Sequence, residues 1–546
     1  MTCLDEVNEL LARTVQEIQN DPKWGSIEKR EFPRLPRLAE EEMTNIINLV
    51  STGKTIAYDG IADVLFLNEK NRKGDMKSDC PKALTIKKLR NLWRVDLDKY
   101  LTENDTWSSR LVALNKVFPR DPTRTQLRPI IVQNPLIKLL EARFLPKLQR
   151  YLREKLHRSQ VGFIPKMGIH VNLQRALERI SLRTKASRPC YGLFIDFSNA
   201  YNSVPQTLLF QKLRKINIFE EEEIIFLEQL YNRYRIRVGN IIFSTNKGVA
   251  QGSLISPSLF NIFLEDLAIE LQEKADINLE DLLLYADDIL TICSSVAQLE
   301  LAITIIESWC ERNGMSLNKK KSGIVVFAPR RSKNIPFMKA VEEVSQEKKQ
   351  NKGCKKCKWL PATKHILEIP ICEEYKYLGT WLNTKLTCGP QINFIKKKTG
   401  FLFVRLYSYL VQASADGRRD MFMTMVAPLF HAAHILLHSE PSLAQRNNLE
   451  ALWRITFKRF LLISKRTNSI LINEMIGKDL KDLAYETYFN SKAKWTSRKL
   501  FGEPTNHGET WRDNKLRAVP NCWCKLINTM VLPCPACRVK GVMMAS

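Results

Sequence analysis

The sequence predicts an α+β fold in which an antiparallel sheet is followed by a helical region. Between residues 191 and 379, short apolar runs alternate with segments of helical periodicity, which is the pattern of strands packed against helices. Three helical patterns then follow, at roughly 391–410, 418–439 and 443–463, with capping and breaker residues between them. A mixed region therefore precedes a helical one.

The composition indicates a globular protein with an anionic partner. The chain has 546 residues, of which 44% are hydrophobic and 26% are charged, and this balance argues against wholesale disorder. Lys and Arg number 84 against 58 Asp and Glu, so the formal net charge is +26. Such an excess favours nucleic acid or an acidic membrane surface as the partner over a merely basic soluble protein.

Neither a membrane span nor a cleaved leader is predicted. The longest uncharged stretch of the C-terminal half, residues 421–439, is short and contains three His and one Pro. The N-terminal segment carries five acidic residues and has no apolar signal-peptide core. The thirteen cysteines are therefore expected to be reduced thiols. The compartment stays unknown from the sequence: an intracellular protein is expected, with the nucleus and an organelle both open.

One aspartate follows a strand-like run near the start of the mixed region. In the segment YGLFIDFSNAY, the run GLFI predicts a buried strand with Asp196 at its end. An aromatic residue, Tyr201, stands five positions later. Taken alone, this pattern is weak evidence for a catalytic site.

Two adjacent aspartates lie between apolar runs further along the chain. In DLLLYADDILTI, Asp287 and Asp288 would stand at the tip of a β-hairpin. Adjacent carboxylates repel each other, so such a tip usually binds a cation, although Asp-Asp is also a common turn pair. Mg²⁺ prefers oxygen ligands and shares its coordination shell with phosphates. Together with Asp196, the pair supplies the ligands that a two-metal site needs.

A glycine-containing loop lies between the two acidic segments. In GVAQGSLISPSLF, the glycines predict a turn that a base pair could approach closely, and Ser256-Pro257 predicts the start of an apolar helix over residues 258–271. Just upstream, strand patterns at 235–238 and 241–244 flank Gly239-Asn240, which predicts a hairpin.

These segments resemble motifs of the reverse transcriptase family. FIDFSNAYNSV, GVAQGSLISPSLFNIFL and YADD are similar to its A, B and C motifs, in the same order and with suitable separations. Four more segments resemble further motifs of the family: LRPI leading into Lys138 and Glu141 in the fingers, QVGF before motif A, GMSLNKKKS as motif D and YKYLGTW as motif E. The resemblance covers residues 111–465. The motif sequences are most similar to those of non-LTR retrotransposons and group II intron proteins.

The resemblance implies a right-hand polymerase with fingers, an antiparallel-sheet palm and a helical thumb. Fingers and palm would occupy residues 111–389 and the thumb 390–465, between a helical N-terminal extension (1–110) and a C-terminal region with a cysteine-rich tail (466–546). The implied activity is an RNA-directed DNA polymerase that transfers nucleotides to a primer 3′-OH with two Mg²⁺ ions. The implied partners are an RNA template, a DNA primer and dNTPs, and no membrane.

Each catalytic position of the family has a matching residue. Asp196, Asp287 and Asp288 match the metal ligands, and Lys321 matches the motif D lysine that protonates pyrophosphate. Because Lys321 stands in a run of three lysines, Lys320 or a merely solvated role remains an alternative.

Four residues match positions around the incoming nucleotide. Tyr201 matches the aromatic residue that excludes a 2′-hydroxyl, with a core tyrosine as the alternative. Gln251 and Gly252 match the lining of the nucleotide and template pocket. Arg128 matches a fingers position where a planar guanidinium pairs with triphosphate oxygens.

Three residues of motif E match the primer grip, and the helices that follow match the thumb. Tyr377, Leu378 and Gly379 would hold the primer strand. The helices after Gly389 carry basic residues, such as Lys396, that could bind the duplex backbone.

Two groups of cysteines suggest zinc. The tail group loosely resembles the C-terminal zinc knuckle of some retroelements, and four thiolates can hold a tetrahedral Zn²⁺ ion, although free cysteines are the alternative. The other group has CCHC-like spacing, but its last cysteine lies in an apolar, strand-like run. The tail group is Cys522, Cys524, Cys534 and Cys537, and the other is Cys354, Cys357, His365 and Cys372.

Two rival functions remain from the sequence. An RNA-directed RNA polymerase is disfavoured by YADD in place of a Gly-Asp-Asp tip and by Tyr201. A maturase or domesticated RNA-binding protein with the same fold is disfavoured by the three intact acids. No nuclease sequence is recognised on either side of the polymerase motifs.

Overall fold

Two four-stranded sheets organise the protein, one in each of two units. The first unit draws its residues from Met1–Leu156, Phe197–Leu267 and Ile306–Leu317, and the second from His157–Asp196, Ala268–Ile305 and Asn318–Ser546. The computed structural model describes residues 22–50, 94, 96–103, 107–115, 127–238, 241–327, 365–430, 443–464, 466–468, 472 and 480–501.

The strands confirm the mixed α+β content predicted for the region between residues 191 and 379. Most are four to six residues long, as is usual in globular proteins. In chain order they are β1 (Ser108–Asn115), β2 (Leu127–Val132), β3 (Tyr191–Ile195), β4 (Arg235–Val238), β5 (Ile241–Phe243), β6 (Leu282–Tyr285), β7 (Asp288–Cys293), β8 (Gly323–Val326), β9 (His365–Ile366), β10 (Ile369–Pro370), β11 (Glu374–Tyr377) and β12 (Thr380–Asn383).

Helices follow and separate these strands along the chain and make up most of its described C-terminal part. In chain order they are α1 (Glu40–Val50), α2 (Leu97–Glu103), α3 (Pro135–Ala142), α4 (Leu145–Glu154), α5 (Ile169–Lys185), α6 (Ala200–Ser203), α7 (Gln206–Ile216), α8 (Glu221–Arg233), α9 (Ser256–Phe263), α10 (Glu265–Lys274), α11 (Val296–Asn313), α12 (Gly389–Gln412), α13 (Ala415–Met421), α14 (Leu443–Phe460) and α15 (Leu480–Phe501).

The sheet of the second unit is antiparallel throughout, as the sequence predicts. Its strand order is β6-β7-β3-β8, so β3 is a central strand, and every residue of β3 is buried. Helix α5 contributes Leu173, Ala176, Leu177 and Ile180 to the core beneath this sheet, at the spacing of one helical face. Each large apolar side chain buried in this way contributes roughly 1.5–3 kcal/mol to folding.

The sheet of the first unit has the order β2-β1-β4-β5 and is mixed. Strands β1 and β2 are antiparallel, β1 and β4 are parallel, and β4 and β5 form the predicted antiparallel pair on either side of residues 239–240. Residues Leu111, Ile131, Ile236, Val238 and Phe243 make its apolar core. The loop that resembles motif B packs on this sheet.

The helix predicted over residues 258–271 is instead two helices. Helix α9 ends at Phe263, and α10 begins at Glu265. Leu264 lies in a turn between them. Its amide still donates to the Phe260 carbonyl four residues back, whereas the Leu267 amide donates to the Leu264 carbonyl only three residues back, a 3₁₀-type bond.

The helices after residue 389 share an apolar core, and Ile392 packs against both this core and the one beneath the sheet of the second unit. Helix α12 begins at Gly389, and a π-helical turn, Phe422–Val426, follows α13. No helix within the described ranges is both long and apolar enough to span a bilayer. The core residues include Ile395, Leu410, Phe422, Val426, Phe430, Leu449, Trp453, Phe457 and Phe460.

Candidate active site

The two adjacent aspartates lie at the tip of a tight hairpin in the second unit. Strands β6 and β7 pair through Tyr285 and Asp288, so Ala286 and Asp287 form a two-residue turn. Ala286 has a φ of 54°, in the left-handed region that such turns require. The hairpin therefore presents Asp287 and Asp288 at the end of the sheet.

Strand register brings the third aspartate beside this tip. Ile195 of β3 is the partner of Ile289 of β7, and the strands are antiparallel. One further step places Asp196 across from Asp288, at a separation where cross-strand side chains interact. All three predicted acids therefore lie at the same end of one sheet, where β3 ends and β7 begins.

The segment QVGF secures the hairpin turn, a role that sequence reasoning did not assign to it. Gln160 accepts a hydrogen bond from the Ala286 amide (2.8 Å) and donates one to the Ala286 carbonyl (3.2 Å). A Cβ on Gly162 would lie 2.3 Å from the Ala286 nitrogen, so only glycine allows this approach. Gln160 therefore holds Ala286 in its left-handed conformation.

The motif D turn secures the backbone of Asp196. The Asp196 amide donates to Ser322 Oγ (3.1 Å), and the Asp196 carbonyl accepts from the Asn318 amide (2.9 Å). Lys321 itself is exposed, and its carbonyl accepts a hydrogen bond from the Tyr375 hydroxyl (2.9 Å). These bonds join motif A, motif D and strand β11 around the acidic edge.

The electrostatics of the edge favour protonation of one acid. The Asp288 side chain is partly in contact with solvent. Its partial burial and the charges of Asp287 and Asp196 raise its pKa to about 7. Burial and the charges of Asp196 and Asp288 also raise the pKa of Tyr375, which keeps its hydroxyl protonated. A divalent cation would relieve the repulsion that the carboxylates exert on one another.

The donor set suits a hard cation, but the side chains are not gathered around one point. Asp196, Asp287 and Asp288 offer carboxylate oxygens alone, the ligands that Mg²⁺ prefers. Within the part of the chain that the structure describes, no group of three or more His, Cys, Asp or Glu side chains has the arrangement of a metal site. Sharing an ion would require these carboxylates to rotate toward each other.

The three predicted primer-grip residues lie at the β11–β12 hairpin. Tyr377 is the last residue of β11, and Leu378 and Gly379 form the turn. Leu378 and Gly379 have φ values of 44° and 81°, which matches a two-residue hairpin turn. The Tyr377 ring is buried, with its centroid 5.6 Å from that of Phe194. Only the turn, and not the Tyr377 ring, is therefore available to a primer strand.

In the first unit, the ring of Tyr201 is held in place by stacking. It lies 4.5 Å from the ring of Phe260, with 12° between their planes. The Tyr201 carbonyl accepts from the Val249 amide (2.8 Å), which joins helix α6 to the motif B loop. As a residue Tyr201 is half-buried, and its hydroxyl oxygen is buried.

Gln251 and Gly252 lie where the motif B loop contacts β2. The Gln251 carbonyl accepts from the Ile131 amide (2.8 Å). Gly252 has a φ of 131°, and a Cβ there would lie 2.2 Å from the Ile131 carbonyl oxygen. The glycine is therefore required by backbone approach and by its φ value. Arg128 pairs with Leu114 across β1 and β2, and its side chain lies outside the described part of the structure.

The predicted zinc ligands fall largely beyond the described residues. Cys522, Cys524, Cys534 and Cys537 lie outside them, as do Cys354 and Cys357. His365 is exposed, whereas Cys372 packs against the core of the second unit. Burial raises the pKa of the Cys372 thiol, which disfavours the thiolate that zinc binds.

Comparison with protein families identifies the class. Residues 119–382 match the family described as "Reverse transcriptase (RNA-dependent DNA polymerase)". This region contains the antiparallel sheet, the three acids and the motif B loop. Residues 119–382 therefore belong to the reverse transcriptase family, and the family prediction from the sequence is confirmed.

Individual relatives come from mobile elements. The chain is 25% identical over 337 residues to a probable RNA-directed DNA polymerase from transposon BS of Drosophila melanogaster, covering 59% of this chain and 34% of the relative. It is 27% identical over 223 residues to a retrovirus-related Pol polyprotein from type-1 retrotransposable element R2 of Popillia japonica, covering 39% and 31%. It is 21% identical over 350 residues to the RNA-directed DNA polymerase from mobile element jockey of Drosophila melanogaster, covering 60% and 35%.

The match to these relatives is partial. The chain spans about a third of the length of each of them. Among solved structures, apo telomerase from Candida tropicalis, truncated from its C-terminal domain, is similar with a TM-score of 0.31 and 16% identity, covering 44% of this chain and 56% of that one.

Proposed function

We propose that the protein is an RNA-directed DNA polymerase of the non-LTR retrotransposon type. The observation that carries this proposal is the placement of Asp196, Asp287 and Asp288 at the same end of one antiparallel sheet, within a reverse transcriptase domain. Its substrates would be dNTPs and a primer 3′-OH on an RNA template. The relatives named as RNA-directed DNA polymerases support the same substrate class.

The three acids would hold two Mg²⁺ ions. When bound, such ions stabilise the charge that develops on the attacking and leaving oxygens of nucleotidyl transfer. The protein's part is to present the acids: Gln160 holds the hairpin turn, and the motif D turn holds the backbone of Asp196. Lys321 is the proposed proton donor to the pyrophosphate.

The right-hand arrangement is part of the same proposal. The sheet of the second unit would be the palm, the sheet of the first unit would belong to the fingers, and α12 to α14 would be the thumb. The thumb assignment is supported by the apolar core that these helices share, whose buried residues all come from residues 395–472. Tyr201, Gln251, Gly252 and Arg128 are the proposed nucleotide-binding residues.

Replacing Asp287 by Asn tests the assignment of the acids. We expect primer extension on an RNA template to fall by about a hundredfold or more, because lost transition-state charge stabilisation typically costs several kcal/mol. Template–primer affinity should hardly change, because backbone binding comes from distributed Lys and Arg contacts.

The matched control is Asp276→Asn, which neutralises an exposed carboxylate of the same unit. Asp276 has a φ of 49°, a conformation that asparagine tolerates, so folding should be unaffected. Extension by Asp287→Asn at more than about a hundredth of the wild-type rate would contradict the assignment. A chain that binds RNA but never extends a primer, even as wild type, would be a maturase-like scaffold.

A further inference from the structure

A buried carboxylate supports the motif B loop in the first unit. Glu141, at the end of α3, is 4% exposed. Its Oε2 accepts hydrogen bonds from the Ser253 hydroxyl (2.8 Å) and the Leu254 amide (3.3 Å), and its Oε1 accepts one from the Gln133 side-chain amide (2.7 Å). A single carboxylate thus joins β2 and α3 to the residues directly after Gly252.

Ser253 extends this support to the start of α9. Its Oγ accepts from the amides of Ile255 (3.2 Å) and Ser256 (3.3 Å), while its own hydroxyl proton goes to Glu141. The residue before α9, Ile255, provides no side-chain cap, so Ser253 supplies the oxygen that the helix start needs. The orientation of the Ser253 hydroxyl therefore depends on Glu141.

We propose that Glu141 is a positioning residue for nucleotide selection, acting through Ser253 on the turn that carries Gln251 and Gly252. This inference rests on the proposed function, because the turn matters as part of a nucleotide site. Glu141 does not touch the substrate in this proposal. Its role is to hold the backbone of residues 251–256 against β2.

The protonation state of Glu141 would change how firmly the backbone of residues 251–256 is held as the pH passes through neutrality. Burial raises its pKa to about 7, against the hydrogen bonds from Gln133 and Ser253 and the charge of Lys138 on the same helix. Ionised Glu141 makes charge-assisted bonds to the turn, which are stronger than neutral ones, but the cost of burying the charge exceeds this gain, so ionisation lowers the stability of the fold as a whole. The titratable groups that face it are Tyr231 of α8, Tyr234 directly after α8, and Lys247 before Gly248, which line the same cavity of about 30 Å³.

Hydrogen exchange of the turn tests the proposal without any need for polymerase activity. In Glu141→Ala, the amides of residues 254–256 should exchange on the order of tenfold faster, because their acceptors are removed or misplaced. Glu141→Gln should restore much of the protection, since its carbonyl oxygen can still accept from Ser253 and Leu254. The control is Glu222→Ala, an exposed glutamate on α8 of the same unit, which should leave these amides unchanged.

Steady-state kinetics then connect the turn to nucleotide binding. We expect Glu141→Ala to raise KM for dNTPs about tenfold with a smaller change in kcat, and Glu141→Gln to recover most of the loss. Ser253→Ala, which leaves Glu141 in place, should also speed amide exchange and raise KM for dNTPs. This variant keeps the test valid if Glu141→Ala does not fold. Unchanged exchange in both variants would overturn the proposal. Altered exchange with wild-type dNTP kinetics would also overturn it, whereas absent wild-type extension would instead contradict the proposed function.

The pH dependence of stability checks the titration. A carboxyl whose pKa rises from an ordinary 4.5 to about 7 on folding binds its proton more tightly in the native state. Its contribution to stability is therefore fully present below pH 4.5 and is lost as the pH rises to about 7. Because glutamine does not titrate, the melting temperature of Glu141→Gln minus that of wild type should increase between pH 5 and pH 8. A constant difference would remove the pH-dependent part of the proposal.

Discussion

Ala286 illustrates how single residues set the geometry of the acidic hairpin. A left-handed conformation costs a residue with a Cβ roughly 1–2 kcal/mol, and here it stands directly before Asp287. Two hydrogen bonds from one amide side chain, Gln160, offset this cost. The residue that shapes the acidic turn is therefore 126 positions away from it in sequence.

Tyr201 is the residue on which sugar selectivity should depend. Its stacking on Phe260 fixes the ring, and a fixed ring can reject a 2′-hydroxyl by its bulk. Tyr201→Ala should admit rNTPs far better, with a smaller loss for dNTPs. Tyr201→Phe should keep the discrimination, because the ring and not the hydroxyl excludes the ribose.

The measurement is kcat/KM for dGTP and rGTP on one RNA template with each Tyr201 variant. The alanine variant should shift the ratio strongly toward rGTP. If its ratio equals that of wild type, Tyr201 is a core residue, which is the alternative that the sequence left open.

Among the elements, helix α15 supports the strand that leads into the acidic turn. Trp495 covers the guanidinium of Arg175 at 3.4 Å. Arg175 in turn donates to the carbonyls of Leu279 (2.7 Å) and Leu282 (2.9 Å), at the start of β6. Lys492 also pairs with Glu178 of α5 (2.8 Å). The C-terminal helix of the described chain thus packs against α5 and the start of β6 in the second unit.

Trp495→Ala should destabilise the second unit by about 3 kcal/mol, the low end for truncating a buried aromatic residue. The matched control is Leu500→Ala, because Leu500 lies on the same helix and is 60% exposed, whereas Trp495 is 7% exposed. Urea unfolding followed by far-UV circular dichroism would measure both variants. Equal effects of the two substitutions would mean that α15 does not dock through Trp495.

The elements also show what the sequence can and cannot predict. The strand at GLFI and the hairpin around YADD were predictable, because buried strands and two-residue turns depend mainly on the local sequence. The bond from Gln160 to Ala286 and the bond from Glu141 to Ser253 were not, since both join residues more than a hundred positions apart. The break at Leu264 was missed because apolar periodicity continues through it.

For the whole molecule, the candidate chemistry is confined to one unit. Asp196, Asp287, Asp288 and Lys321 all belong to the second unit, whose sheet, motif D turn and β11–β12 hairpin are joined by hydrogen bonds. The formal net charge of +26 suits a partner with a phosphate backbone. Both features agree with a polymerase on an RNA template.

The most direct test of that account is incorporation of a single nucleotide. A primed RNA template with cytosine as the next base would be offered dGTP or rGTP, and kcat/KM would be measured for each with wild-type protein. We predict extension that depends on a divalent cation, with a clear preference for dGTP. A preference for rGTP, or tight binding of the primed template without extension by either nucleotide, would contradict the assignment as an RNA-directed DNA polymerase.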